Sequence, residues 1–243
     1  MARIVKKSYK RKVATSKKIV RKYKTNRLVN LINKISLKKC ETKDAHRILE
    51  NEQLYHNTPA IQTGFLTTNQ GIGDADTGLN NYASRVGNEI ILRGLSMKLW
   101  LANKLDRPNV MYKIIVYRYK IDGSYSNPPY LSQGTSNYMI RDLDTDQFKI
   151  LKVKYVNLNV GLSATSGATG WGSSGLIGKE AHKIVKFWIP FKNQKYRYKS
   201  DGSGFGAYWD IGLSITTYDS YGTLTTDNIA SYALSHKLYF KDP

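Results

Sequence analysis

The sequence predicts an all-β fold, a two-layer sandwich or jelly roll of eight strands. Three observations predict it. Apolar residues recur with period two through most of the chain beyond residue 40, helical signals are sparse, and long polar, Gly-rich connections separate the periodic runs.

Taken in order, Asn26 is a candidate cap for a short basic helix carrying Leu28, Leu31, Ile32 and Ile35 on one stripe. A weak strand pattern follows over 35–43, and 44–55 reads as another helical turn or two. A second weak strand covers 60–68. Over 88–102 the apolar parity changes: Ile90 and Leu92 are even, whereas Leu95, Met97, Leu99 and Leu101 are odd. Gly94 stands at the change, which predicts a β-bulge there. Both faces of 110–121 are largely apolar, as expected of a central strand. Leu151, Val153 and Tyr155 alternate with Lys152 and Lys154 in the next strand. Val185, Phe187, Ile189 and Phe191 line one face of another. Ala207, Trp209, Ile211, Leu213 and Ile215 alternate with polar residues, and Tyr232, Leu234, Leu238 and Phe240 repeat the pattern near the end. The connections 70–84, 123–137 and 161–178 are long and Gly-rich, and are the expected exterior and inter-subunit surfaces.

Charge divides the chain. The first forty residues hold fifteen Lys or Arg and no acid, out of 38 basic and 18 acidic residues and a net +20 in all. Such a segment has too little apolar surface to offset the entropy of ordering, and it is suited to a polyanion, whose released counterions give strong, salt-sensitive binding. Residues 1–35 therefore read as a nucleic-acid-binding arm and 36–243 as one folded domain. The arm's candidate contacts are Arg3, Lys6, Lys7, Lys10, Arg11, Lys12, Lys17, Lys18, Arg21, Lys22, Lys24 and Arg27. Its two clusters, 6–12 and 17–24, have the look of nuclear import signals. A solubilising tail, or an arm for an acidic membrane face, is the alternative. Two aromatic–basic patches, Tyr117-Arg118-Tyr119-Lys120 and Lys195-Tyr196-Arg197-Tyr198-Lys199, are further candidates, with Arg118, Tyr196, Arg197 and Tyr198 as contacts. In the competing reading the tyrosines cover the core at strand ends.

The remaining chemistry is thin. Cys40 is the only cysteine, which excludes an intramolecular disulfide and a Cys-based zinc cluster. No run approaches a membrane span and no secretory leader is evident, so the chain is expected to stay inside a cell. His46, His56, His182 and His236 are scattered without metal-ligand spacing. Gly172 to Lys179 fails as a phosphate loop because Glu180 stands where Ser or Thr is needed. Asp142, Asp144 and Asp146 resemble a calcium loop, but Gln147 replaces its Gly and Val153 its final Glu, so an ordinary polar turn is the default. Residues 202–206 read as a flexible Gly-rich turn. No nucleophile elbow is present; no cofactor is implied, and the chain is not expected to be an enzyme.

Arg85-Val86-Gly87-Asn88-Glu89-Ile90-Ile91-Leu92-Arg93-Gly94-Leu95, preceded by Gln70-Gly71-Ile72-Gly73, resembles the segment that opens the body of capsid proteins of circular, Rep-encoding single-stranded DNA viruses. Lys186-Phe187-Trp188-Ile189-Pro190 with Tyr196-Arg197-Tyr198, and the ending Leu238-Tyr239-Phe240-Lys241-Asp242-Pro243, are similar to later patches of that circovirus-like group, in the same order. The resemblance implies one jelly roll of two packed four-stranded antiparallel sheets, about sixty copies in an icosahedral T=1 shell, and an inner arm on a circular single-stranded DNA genome. It also implies residence in the virion and, during assembly, in host nucleus or cytoplasm, with import and attachment receptors as partners and no membrane insertion. One departure is that Lys, not Arg, dominates this arm, which predicts more salt-labile contacts. The alternative function classes are a non-assembling, sequence-independent nucleic-acid-binding protein, and an enzyme using the Asp142–Asp146 cluster with a metal.

Overall fold

The computed structural model describes residues 35, 40–70, 84–104, 107, 109–121, 128–159, 181–200, 203–220 and 223–242. Eight main strands form two four-stranded antiparallel sheets: β1 (Thr42–Tyr55), β2 (Pro59–Gln62), β5 (Glu89–Asn103), β6 (Asn109–Lys120), β7 (Lys149–Asn159), β8 (His182–Arg197), β9 (Trp209–Asp219) and β10 (Asn228–Lys241). Two short strands, β3 (Asn69–Gln70) and β4 (Ser84–Arg85), pair in parallel beside them. The first sheet runs β1-β10-β5-β8 and the second β2-β9-β6-β7. The pairing is nested: β6 with β7, β5 with β8, β2 with β9 and β1 with β10. A long antiparallel hairpin rolled over itself gives this order, and it is the jelly roll.

Side-chain alternation explains why the sheets stack. Ile90, Leu92, Leu95, Met97, Leu99 and Leu101 of β5 and Ile211, Leu213 and Ile215 of β9 join one core cluster, all at or below 1 % exposure. At ~25 cal/mol per Å² of apolar surface removed from water, such a layer is the main stabilising contribution. The bulge expected at Gly94 is present: the β5–β8 register jumps from Leu92↔Gln194 to Gly94↔Pro190, and the β5–β10 register skips Arg93. Lys192 and Asn193 absorb the strain on β8 with φ of 53° and 61°. The bulge turns both halves of β5 onto one core despite their opposite parity. As expected, β6 is central, between β9 and β7.

The outer face of the second sheet is also covered. The β6–β7 connection lays Tyr130 and Phe148 over Ile115, Tyr117 and Tyr119 to form a second, smaller core. It is anchored by Asn57, whose amide donates to Ser136 O at 2.9 Å and whose Oδ1 accepts from Tyr138 N at 2.9 Å. The buried Lys113 Nζ donates to Tyr138 O and Arg141 O, each at 3.0 Å, and burial lowers its pKa. The connection 123–137, expected as exterior and inter-subunit surface, thus contributes Tyr130 to a core.

Three expectations are corrected. Residues 44–55 form no helix; they belong to the edge strand β1. Ala45, Leu49 and Leu54 mimic helical spacing, but Asn51 at φ 55° switches the strand's parity so that all three meet the core. The strand expected over 35–43 starts only at Thr42, and Ile35 is helical and 48 % exposed. The rest of the helix expected from Asn26 lies outside the described residues. The strand expected over 60–68 stops at Gln62, because Gly64 at φ 81° opens a turn that buries Phe65 and Leu66.

Candidate nucleic-acid interface

The candidates Arg3 to Arg27 lie outside the described residues, and those of the body sit near the ends of β6 and β8. Tyr196 ends β8 and is 3 % exposed; Tyr198, just beyond, is 1 % exposed. Tyr196 Oη donates to Trp209 O at 2.8 Å and Tyr198 Oη to Leu66 O at 3.0 Å. The two rings meet edge-on at 5.2 Å, and Trp209 lies 5.1 Å from Tyr196 in the same manner. Burial pushes both phenols above their ordinary range. Neither ring presents a face to solvent, so neither can stack on a splayed base: alternation at the end of β8 aims both inward. Tyr117 and Tyr119 of the other patch are likewise interior, at 0 % and 7 % exposure.

The basic members of these patches divide. The Arg118 guanidinium stacks 3.7 Å above the Trp209 ring and is half-buried, which makes it first a lid on the core. Arg197 is exposed and stands opposite Glu89 in the β5–β8 register. A shallow cleft of about 100 Å³ there is lined by Glu89, Lys195, Tyr196, Arg197, Tyr208 and Trp209.

Two residues that sequence reasoning did not single out organise this end of the body. Arg85 is 1 % exposed. Its guanidinium donates to Gly87 O at 2.6 Å, Asn88 Oδ1 at 3.2 Å and Ser203 O, and it stacks 3.9 Å over Tyr198. It ties the turn before β5 to the turn before β9, and no periodicity signals such a role. Asp210 Oδ1 accepts from Leu66 N at 3.0 Å and Ile211 N at 2.6 Å, and burial pushes its carboxyl up to about 7.

The other candidates resolve as local structure. Asp144 Oδ1 accepts from the backbone N–H of Asp146 at 3.1 Å and Gln147 at 3.0 Å, a self-capped polar turn. His46 bonds Ser235 Oγ at 3.1 Å, His56 Nδ1 accepts from Asp219 N at 3.1 Å, and His236 is buried against Phe65. Among the described residues no group of three His, Cys, Asp or Glu could hold a metal ion. The turn 203–206 is held by Lys199 N donating to Phe205 O at 3.1 Å. Residues 71–83, 122–127 and 160–180, which include Gly172 to Lys179, lie outside the described residues.

No family model matches the chain, and no curated protein matches it. A cryo-EM structure of Broad Bean Stain Virus is similar over 82 % of this chain and 84 % of that one, at 10 % identity and a TM-score of 0.32. A likeness that loose carries nothing across to function.

Proposed function

We propose that this chain is a capsid protein whose jelly-roll body tiles a small icosahedral shell and whose basic arm packages single-stranded DNA inside it. The observation that carries the proposal is the segregation of charge: fifteen cations and no acid in the first forty residues, in the same chain as a two-sheet body with its own apolar core among the described residues. Capsids are one established use of double-sheet jelly rolls. The sequence resemblance to circovirus-like capsid proteins agrees with this pairing and suggests a T=1 shell of about sixty copies and a circular genome.

Physics couples the two parts. Sixty arms facing one cavity would gather roughly 900 positive charges, which repel unless a comparable number of phosphates joins them. Packaging would then drive closure, and the arm would supply affinity without reading sequence. Exposed apolar side chains on turns, among them Val86, Ile140, Phe205, Tyr208 and Leu224, are candidate contacts between copies.

The test is to purify the full chain, treat half with nuclease, image both halves by electron microscopy and read their ultraviolet absorbance ratios. Uniform particles holding nuclease-protected nucleic acid are expected. Monomers, or irregular aggregates that nuclease dissolves, would overturn the shell reading in favour of a non-assembling nucleic-acid-binding protein.

A further inference from the structure

The two sheets treat their outer faces differently. The second sheet's is covered by the chain's own connection. On the first sheet, among the described residues, nothing covers Trp100, Ile184 or Trp188, which are 45 %, 61 % and 48 % exposed. Large apolar side chains clustered in the open mark a contact surface.

Register defines the surface. Trp100 on β5 stands opposite Ile184, Lys98 opposite Lys186 and Ser96 opposite Trp188. The line along the sheet therefore reads ring, lysine pair, ring, with the two indoles about 13 Å apart along the strands at ~3.3 Å per residue. Trp188 lies over the bulge: a Cβ added at Gly94 would fall 2.3 Å from its ring, so the absence of a side chain at Gly94 leaves the room that the indole occupies. Tyr239 of β10 extends the aromatic surface, its ring 5.8 Å from Trp188.

The lysine pair is the informative feature. Like charges directly opposed across strands destabilise a sheet, and among the described residues neither Lys98 nor Lys186 is ion-paired. The neighbouring Lys237 pairs with Asp44 of β1 at 2.8 Å, at the far edge of the sheet. An anion lying between the rings would turn that repulsion into binding. A second copy of the chain docked on itself would double it, because a two-fold contact brings the same patch to both sides.

We propose that this face is a second nucleic-acid surface, on which single-stranded bases stack against Trp100 and Trp188 while Lys98 and Lys186 hold the phosphates between them. The inference deepens the packaging reading and rests on it for the presence of a genome. It adds to the arm's charge, which does not distinguish paired from unpaired strands, a folded surface for base–aromatic stacking, which prefers unpaired ones.

The test uses the full chain freed of its nucleic acid and a short oligothymidylate carrying 5-bromodeoxyuridine. Photocrosslinks should map to peptides containing Trp100 and Trp188 as well as to the arm. At a salt concentration that suppresses the arm's contribution, Trp100→Ala and Trp188→Ala should each weaken oligothymidylate binding about tenfold, and Lys98→Gln with Lys186→Gln should lower its salt dependence. Crosslinks confined to residues 1–40 would overturn the inference. So would Trp variants that keep full affinity, whether self-association is lost, which would make the face a subunit contact, or retained. Crosslinks on the face without particles would leave the inference standing and sink the shell reading; particles with arm-only crosslinks would do the reverse.

Discussion

His236 makes the body sensitive to acid. It projects from β10 into the core, 7 % exposed, with Phe65 edge-on at 4.7 Å and with no hydrogen-bond partner for Nδ1 among the described residues. Burial, reinforced by Arg47 and His46, lowers its pKa from 6.5 to about 4. The unfolded chain therefore takes up a proton below about pH 6.5 that the folded chain refuses until about 4. The contribution of His236 to stability is lost as pH falls through that window and is level on either side of it. At ~1.4 kcal/mol per pH unit the loss is about 3 kcal/mol, a sizeable share of a typical ~5–15 kcal/mol. His236→Leu removes the titrating group at similar bulk. Urea unfolding of the nuclease-treated chain, followed by tryptophan fluorescence from pH 7.5 to 4, should show wild type losing about 3 kcal/mol more than the variant. Parallel pH profiles for the two proteins would refute the assignment of this burden to His236.

Asp210 works in the opposite sense. Its raised carboxyl value, about 7 against 3.8, means stability falls as pH rises between those values, so Asp210→Asn should flatten that limb in the same unfolding assay and leave the variant more stable at pH 8. Gly206 is bound by packing: an added Cβ would lie 1.8 Å from Tyr196 Oη. Gly206→Ala should therefore cost ~1–3 kcal/mol, seen as a Tm lower by several degrees in calorimetry. Arg85→Lys loses the fork that reaches three acceptors and the stacking on Tyr198. It should destabilise by ~2–3 kcal/mol, with hydrogen exchange rising at 86–88 and 203–206.

Much of the fold was legible in the sequence, because a half-buried strand must alternate and β5, β8 and β10 do; β9 is buried on both faces, and in β7 Val153 and Tyr155 are exposed. The parity switch around Gly94 even located the bulge, since only an extra residue lets Ile90 and Leu92 share a core with Leu95 and Met97. Residues 44–55 were misread for the same reason in reverse. Asn51 hides a parity switch inside a charged edge strand, and local spacing there imitates a helix.

The charge that suggests an arm is a matter of composition: fifteen cations without an acid are counted without tertiary context. The aromatic–basic patches did need it: Tyr196 and Tyr198 face inward, whereas Trp100 and Trp188, neither of them a candidate contact in the sequence, face out. By itself the sequence determined the all-β class, the bulge and the uneven charge on which the arm is proposed, because periodicity and net charge are properties of neighbours along the chain. Only the tertiary structure decided which sheet face is covered, which aromatic rings are exposed, and that Lys98 meets Lys186, because those depend on pairing between residues about ninety positions apart.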